Sequence, residues 1–439
     1  MAVRSKQRWA ALAGGVTVLA LALTGCSGGG SSSGSGGEKT ITWLVDNAEN
    51  TVTAAEKVAE EFTAANPGIK VDIETRPQGG DGDNIVKTRL STGDMADVFN
   101  YNTGSLLQQI NPEQNLQPIT NESYLSNVAD SFKPVVTSSG QIYGVPFSTG
   151  MAGAVLYNKK VYEKLGLSVP KTWNEFMANS RKIKDAGIAP IIQSYQTTWT
   201  SQLFVLGDFA NVMTADPNFA SDYTANKAKY ATNPAAVKGF EHLEEAAKAG
   251  FFNDDFASTT YQQAQDKLVN GEGAQYPILS FALNNIKVTH PDKLNDLGLF
   301  PLPGDDAAKN KLTVWMPGGT YIPKSTKNLE EAKKFQAFIA SKAGCDAQTA
   351  AVGAAGPYLV KDCELPSDVA AAVKDMLPFF EDPARNSPAL EFLSPVKGPA
   401  LEQITVEVGS GIRSGKDCAA LYDEDVKKQA KQLNLPGWN

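Results

Sequence analysis

Thr40-Ile41-Thr42-Trp43-Leu44-Val45, closed by Asp46-Asn47, is the stretch from which the fold can be read. Its β-branched and aromatic residues read as a strand, and the polar pair ends it. Asn50 or Thr51 can then cap a helix, since Val52, Ala55, Val58, Ala59 and Phe62 recur at helical spacing until Asn66-Pro67-Gly68 stops them. Ile69, Val71 and Ile73 alternate as a second strand. A helix is predicted around residues 84–91, and Asp97-Val98-Phe99 reads as a third strand. Strand, helix, strand, helix, strand within about 60 residues is a right-handed parallel α/β unit. Sheets of this kind bind ligands at the carboxyl ends of their strands. Those ends are Asp46-Asn47, residues 76–80 and Asn100-Tyr101-Asn102.

Downstream, the alternation repeats. Thr172-x-x-Glu175 is a capping box that opens a helix from Trp173 to about Asp185, and Ala189 to Gln193 reads as a strand. Helices are expected around 199–210, 235–249 and 330–340, with short extended pieces at 299–303 and 312–316. The C-terminal third is helical, broken by Pro378, Pro383, Pro388, Pro395 and Pro399. Two α/β units with helical additions suit two lobes better than one large sheet, and 439 residues are comfortable for two domains.

Upstream, Arg4, Lys6 and Arg8 precede an apolar run from Ala10 to Leu23, then Leu23-Thr24-Gly25-Cys26, then only Ser and Gly to Gly37. A basic start, a short apolar core and small exit residues make an export signal over residues 1–25. The run of about 14 is short of the roughly 20 needed to span a bilayer. Leu-Thr-Gly-Cys resembles a bacterial lipoprotein lipobox, which implies cleavage before Cys26 and a lipid on that cysteine. The alternative is an ordinary cleaved signal with an incidental Cys. Residues 26–37 then form a tether, a random coil with a mean reach of roughly 17–20 Å. Gly30 to Gly34 formally matches GxSxG, but a nucleophile elbow needs a strand before it and a helix after it.

With 42% apolar and 9% aromatic residues the chain can build two cores. Its 40 basic residues against 48 acidic give −8, and loss of Arg4, Lys6 and Arg8 deepens the excess. An acidic, exported chain with no basic cluster argues against nucleic acid and against adsorption to anionic lipid. Three cysteines remain beside Cys26 and allow three single pairings; Cys345 with Cys363 closes the shortest loop and is favoured, leaving Cys418 as a buried thiol. No CxxC occurs. Gly79-Gly80-Asp81-Gly82-Asp83-Asn84 invites a calcium reading, but a loop starting at Asp81 would need Gly at Val86 and Glu at Thr92. It reads as a loop entering a helix. His242 and His290 stand far apart, so neither a metal site nor a cofactor is expected.

At Tyr143 the chain becomes specific. Tyr143-Gly144-Val145-Pro146-Phe147 is followed by Val155-Leu156-Tyr157-Asn158-Lys159, Leu165-Gly166-Leu167 and Pro170-Lys171-Thr172-Trp173-Asn174-Glu175-Phe176. Later come Gly318-Gly319-Thr320-Tyr321-Ile322-Pro323-Lys324, and earlier Ala96-Asp97-Val98-Phe99, where Ala96 replaces a usual Pro. In order and spacing this series resembles the family 1 extracellular solute-binding proteins of ABC importers, the group that contains maltose-binding protein. The resemblance implies a two-lobed periplasmic-binding-protein fold, type II-like, with hinge strands between α/β lobes. Lobe 1 is expected from 38–148 plus about 318–360, and lobe 2 from about 149–317 plus 361–439. It implies a monomer that closes on a solute, leaves its bonds intact and presents it to membrane permease subunits.

A sugar needs aromatic faces for its C–H surface and planar polar groups for its hydroxyls. The strand ends offer Asp46, Asn47, Asn100, Tyr101 and Asn102, and the first crossing offers Phe147. Trp199 lies in a polar-aromatic loop, and Trp315 with Gly318 sits at the return hinge. Tyr276 and Phe281 flank a loop that, by the resemblance, contributes an aromatic. Which of them faces the cleft is open, and Tyr276 is carried as the candidate. Phe392, on a late loop, is the last candidate, with core as its competing reading. Trp43 and Trp173 read as structural. The expected ligand is a di- or oligosaccharide. A polyamine or other small solute on the same fold, and an exported glycosidase with two carboxylates, are the alternatives.

Overall fold

A computed structural model describes residues 38–438. The export signal, the Cys26 lipid site, the tether and Asn439 lie outside the described residues. The first strand, Lys39–Asp46, pairs in parallel with Ile69–Arg76 on one side and Val98–Tyr101 on the other. Gly319–Tyr321 joins antiparallel to the third strand, and Gly144–Pro146 pairs with it in turn. The five-stranded sheet thus recruits its last two strands from before and after most of a second sheet in the chain. Its core draws Trp43, Val58 and Phe99 from the early segment and Phe335, Ile339 and Leu359 from the late one.

The second sheet is built on Met151–Asn158, flanked by Gly273–Leu279 and by Leu297–Pro301 and Leu312–Trp315, with Ala189–Ile191 and Asn386–Pro388 at the edges. Both faces are covered. Val155 points into a core with Phe176, Phe204 and Tyr422, while Ala154 and Leu156 point into another with Tyr276, Ile278 and Met376. This is why the strand reads as a continuous apolar run: alternation places half its side chains in each core.

The chain crosses between the sheets at residues 147–150 and 316–318, and again between Leu359 in the first core and Ala370 in the third. Ser148 holds a left-handed backbone at φ 82°, and its N–H donates to Gln348 Oε1 at 2.7 Å. A non-glycine residue is costly there, so surrounding contacts must hold it.

Two local expectations are corrected. The first helix, Glu49–Ala65, starts ahead of Asn50 and Thr51, and neither caps it. No side chain caps it; Asp46 instead fixes the approach to the helix, accepting from the Ala48 N–H at 2.9 Å and the Thr51 hydroxyl at 3.2 Å. The second helix begins at Gly79 rather than near Asn84 and runs to Thr92, so the glycine-rich segment is helical. A Cβ at Gly82 would lie 1.9 Å from the Pro77 carbonyl oxygen, so only glycine lets this first turn lie against the strand end. Trp173 is structural: buried, stacked on His242 at 3.9 Å, its indole N–H donating to Glu245 at 2.7 Å. Cys345 and Cys363 are joined with a Cα–Cα distance of 6.2 Å, and Cys418 is a buried thiol.

Candidate functional site

The carboxyl ends of the first sheet face the second sheet across a cavity of about 480 Å³, within the range of about 300–1,000 Å³ usual for small-molecule sites. Parallel pairing places Asp46 level with Arg76, so a carboxylate and a guanidinium share one edge. Arg76 is buried. Its Nη1 donates to the Pro77 carbonyl at 3.1 Å and Nη2 to that of Asn100 at 3.4 Å, while its Nε has no protein partner. The helix turn after Gly79 brings Asp83 to the same corner. Burial pushes the Asp83 carboxyl up to about 6, against the pull of Arg76, Lys87 and Lys397. Burial likewise raises Asp46, partly offset by the Ala48 N–H and Arg76, and it raises Glu402 across the cleft.

Asn100 is a node rather than a free group. Its Oδ1 accepts from the Trp43 indole at 3.0 Å and from the Thr320 hydroxyl at 2.9 Å. Tyr101 is buried in the cavity wall with its hydroxyl unpartnered, and burial holds that hydroxyl well above its ordinary range. Asn50 Oδ1, Thr149 Oγ1 and Trp199 Nε1 are also buried without a protein partner, and all three residues line the cavity. A buried polar atom left unpaired costs about 1–3 kcal/mol. The convergence of five on one cleft marks it as a place for a polar molecule.

The opposite wall is aromatic. Trp199 stacks on Phe281 with centroids 5.7 Å apart, and Tyr261 packs 5.3 Å from Trp199. Trp315 and Phe392 continue the wall, and Phe147 lines it from the first crossing. The lobes touch at the rim. Asn284 Nδ2 donates to the Val352 and Gly353 carbonyls at 3.0 and 2.9 Å, and a Cβ at Gly80 would meet Glu402 Oε1 at 2.9 Å.

Asp46, Asn100, Tyr101, Asn102, Phe147, Trp199, Trp315, Gly318 and Phe392 therefore share one cavity. Asn47 does not reach it. One step past the strand end, its side chain turns to solvent while its N–H donates to the Arg76 carbonyl at 2.8 Å. Tyr276 does not reach it either. It points into the apolar core beneath the sheet, where its hydroxyl lies 2.7 Å from Ser194 Oγ; Phe281, past the strand end, takes the cleft position. Asn50, Arg76, Asp83, Glu391, Lys397 and Glu402 are cleft residues beyond the sequence candidates. Arg76 stood at a named strand end. Glu391, Lys397 and Glu402 carried no local signal. Among the described residues no cluster of His, Cys, Asp and Glu is placed to hold a metal ion.

Two lobes with such a cleft define a solute-binding protein. The chain belongs to the bacterial extracellular solute-binding protein family, whose profile matches residues 47–344. It is 26% identical over 338 residues to a multiple sugar-binding protein of Streptococcus mutans, covering 75% of this chain and 77% of that one. It is 24% identical over 363 residues to the melibiose/raffinose/stachyose-binding protein MelE of Bacillus subtilis, covering 75% and 76%. Among solved structures, a chitin oligosaccharide binding protein superposes with a TM-score of 0.76 at 21% identity, over 90% of this chain and all of the other. The fold expectation is thereby met. Among the described residues no helix is long and apolar enough to cross a membrane.

Proposed function

We propose that this protein is an extracytoplasmic receptor, lipid-anchored through Cys26, that captures a di- or oligosaccharide between its lobes and hands it intact to the permease of an ABC importer. The observation that carries this reading is the pairing of an unsatisfied polar wall with an aromatic wall across one cavity. Rings cover the C–H faces of a sugar; buried donors and acceptors take its hydroxyls. The sugar-binding relatives support the same solute class. Both walls contact a solute only when the lobes meet, so the solute stabilises the closed state by differential affinity. A micromolar solute supplies about 8 kcal/mol, enough to populate closure if the empty protein is open by a few kcal/mol. The receptor works as a monomer.

A polyamine is the second reading, because five carboxylates line the cavity against Arg76, Lys87 and Lys397. Several are already engaged, as Glu391 is by Lys397 at 3.2 Å, which favours the neutral solute. Titration calorimetry with mono- to tetrasaccharides of glucose, galactose, fructose and xylose, and with spermidine, separates the readings. One-to-one binding of one linkage family with the sugar recovered unchanged is expected. Heat from spermidine alone removes the carbohydrate, and a cleaved sugar removes the receptor.

A further inference from the structure

Trp315 is held by polar as well as apolar contacts. Its indole Nε1 donates to Glu391 Oε1 at 2.6 Å, while Lys397 Nζ lies 3.2 Å from Glu391 Oε2, so each carboxylate oxygen has its own partner. Both charged side chains are only 12% exposed. A Cβ at Gly153 on the neighbouring strand would sit 2.2 Å from Trp315 Cζ3; the missing side chain lets the ring lie against the strand. The turn carrying Glu391, Leu390–Leu393, is in turn clasped from the other lobe. Gly104 approaches so closely that a Cβ there would meet the Glu391 carbonyl oxygen at 2.3 Å.

We propose that Glu391 is a positioning residue for solute capture: it fixes the Trp315 indole as a stacking platform, and its contact with Gly104 ties that platform to lobe closure. The inference rests on the reading that the cleft takes its solute against aromatic faces. Two physical effects follow. A ring pinned at its nitrogen and seated on glycine has little rotamer freedom left to lose when a solute stacks on it. A charge-assisted hydrogen bond from the indole N–H to a carboxylate also makes the ring face more negative, which strengthens its attraction for the C–H face of a sugar.

The test uses Glu391→Ala, Glu391→Gln, Trp315→Phe and the double variants. Emission of Trp315 is isolated by subtracting the matching Trp315→Phe spectrum, without ligand. In Glu391→Ala it should move to longer wavelength and become more open to acrylamide quenching; Glu391→Gln, which keeps an acceptor, should restore both. With raffinose as probe, Glu391→Ala should weaken binding by about tenfold and Glu391→Gln by less. In the Trp315→Phe background Glu391→Ala should add nothing further. Unchanged Trp315 emission and quenching in Glu391→Ala, or full additivity of the two substitutions, overturns the proposal. If raffinose and the other sugars fail on the wild type, the solute reading falls, while the emission experiment still decides whether Glu391 pins the ring.

Discussion

The two walls of the cleft are built on opposite principles. The wall at the carboxyl edge of the parallel sheet concentrates charge in little space, with Asp46 level with Arg76 and Asp83 at the same corner. The facing wall spreads its contact over rings, Trp199 on Phe281 and Trp315 on the backbone of Gly153. Buried charge is unforgiving, because removing one partner strands the other. Apolar contact is graded, because its energy scales with area. The first wall should therefore decide which hydroxyl pattern is accepted, and the second how tightly any ring is held.

Replacing Arg76 puts the most at risk. Arg76→Ala should cost at least about a hundredfold in sugar affinity by calorimetry, since it removes a buried guanidinium whose Nε is left free for a solute and whose charge offsets Asp46 and Asp83. Arg76→Lys should rescue little, because a lysine lacks the planar fork. Trp199→Ala should cost about ten- to a hundredfold, the worth of one buried ring face. If Trp199→Ala proves worse than Arg76→Ala, the contrast between the walls is broken.

A smaller effect sharpens the polar side. Burial raises Asp83 to about 6, whereas in the unfolded chain an Asp titrates near about 3.9. Between those values the folded state keeps a proton that the unfolded chain has lost. The stability this group contributes is thus complete below about pH 4 and disappears as pH rises through about 6. Asp83→Asn should flatten the dependence of Tm on pH between 4 and 7. An unaltered profile would mean that solvent screens Asp83 and that the corner is less dry than its geometry indicates. The smallest effects belong to residues outside the cleft. Asn47→Ala and Tyr276→Phe should leave affinity unchanged, while Tyr276→Phe lowers unfolding free energy by about 1 kcal/mol through loss of its bond to Ser194.

The polar wall was largely legible. Strand ends are local features, so Asp46, Asn100, Tyr101 and Asn102 could be read from alternation and turn residues alone. Even there the reading ran one residue long at Asn47, because direction reverses at each step and the strand's last inward residue depends on where pairing stops. The aromatic wall was harder. Gly273–Leu279 is covered on both faces, so its sequence shows no alternation of polar and apolar residues and carries no sign of which ring emerges. Tyr276 was carried forward and lies in the core; Phe281 reaches the cleft because it stands past the strand end.

What the sequence determined by itself was local or ordered: the parallel unit between residues 39 and 101, the motifs in series at 143–147 and 318–324, and with them the family. These depend on periodicity and on motifs in series, which a linear chain displays. The tertiary structure alone decided the pairing of groups remote in sequence. Glu391 meets Trp315 from 76 residues away, and Gly80 faces Glu402 across the cleft. Hydrogen bonds and close backbone approaches of that kind are set by how the lobes pack, and no local pattern encodes them.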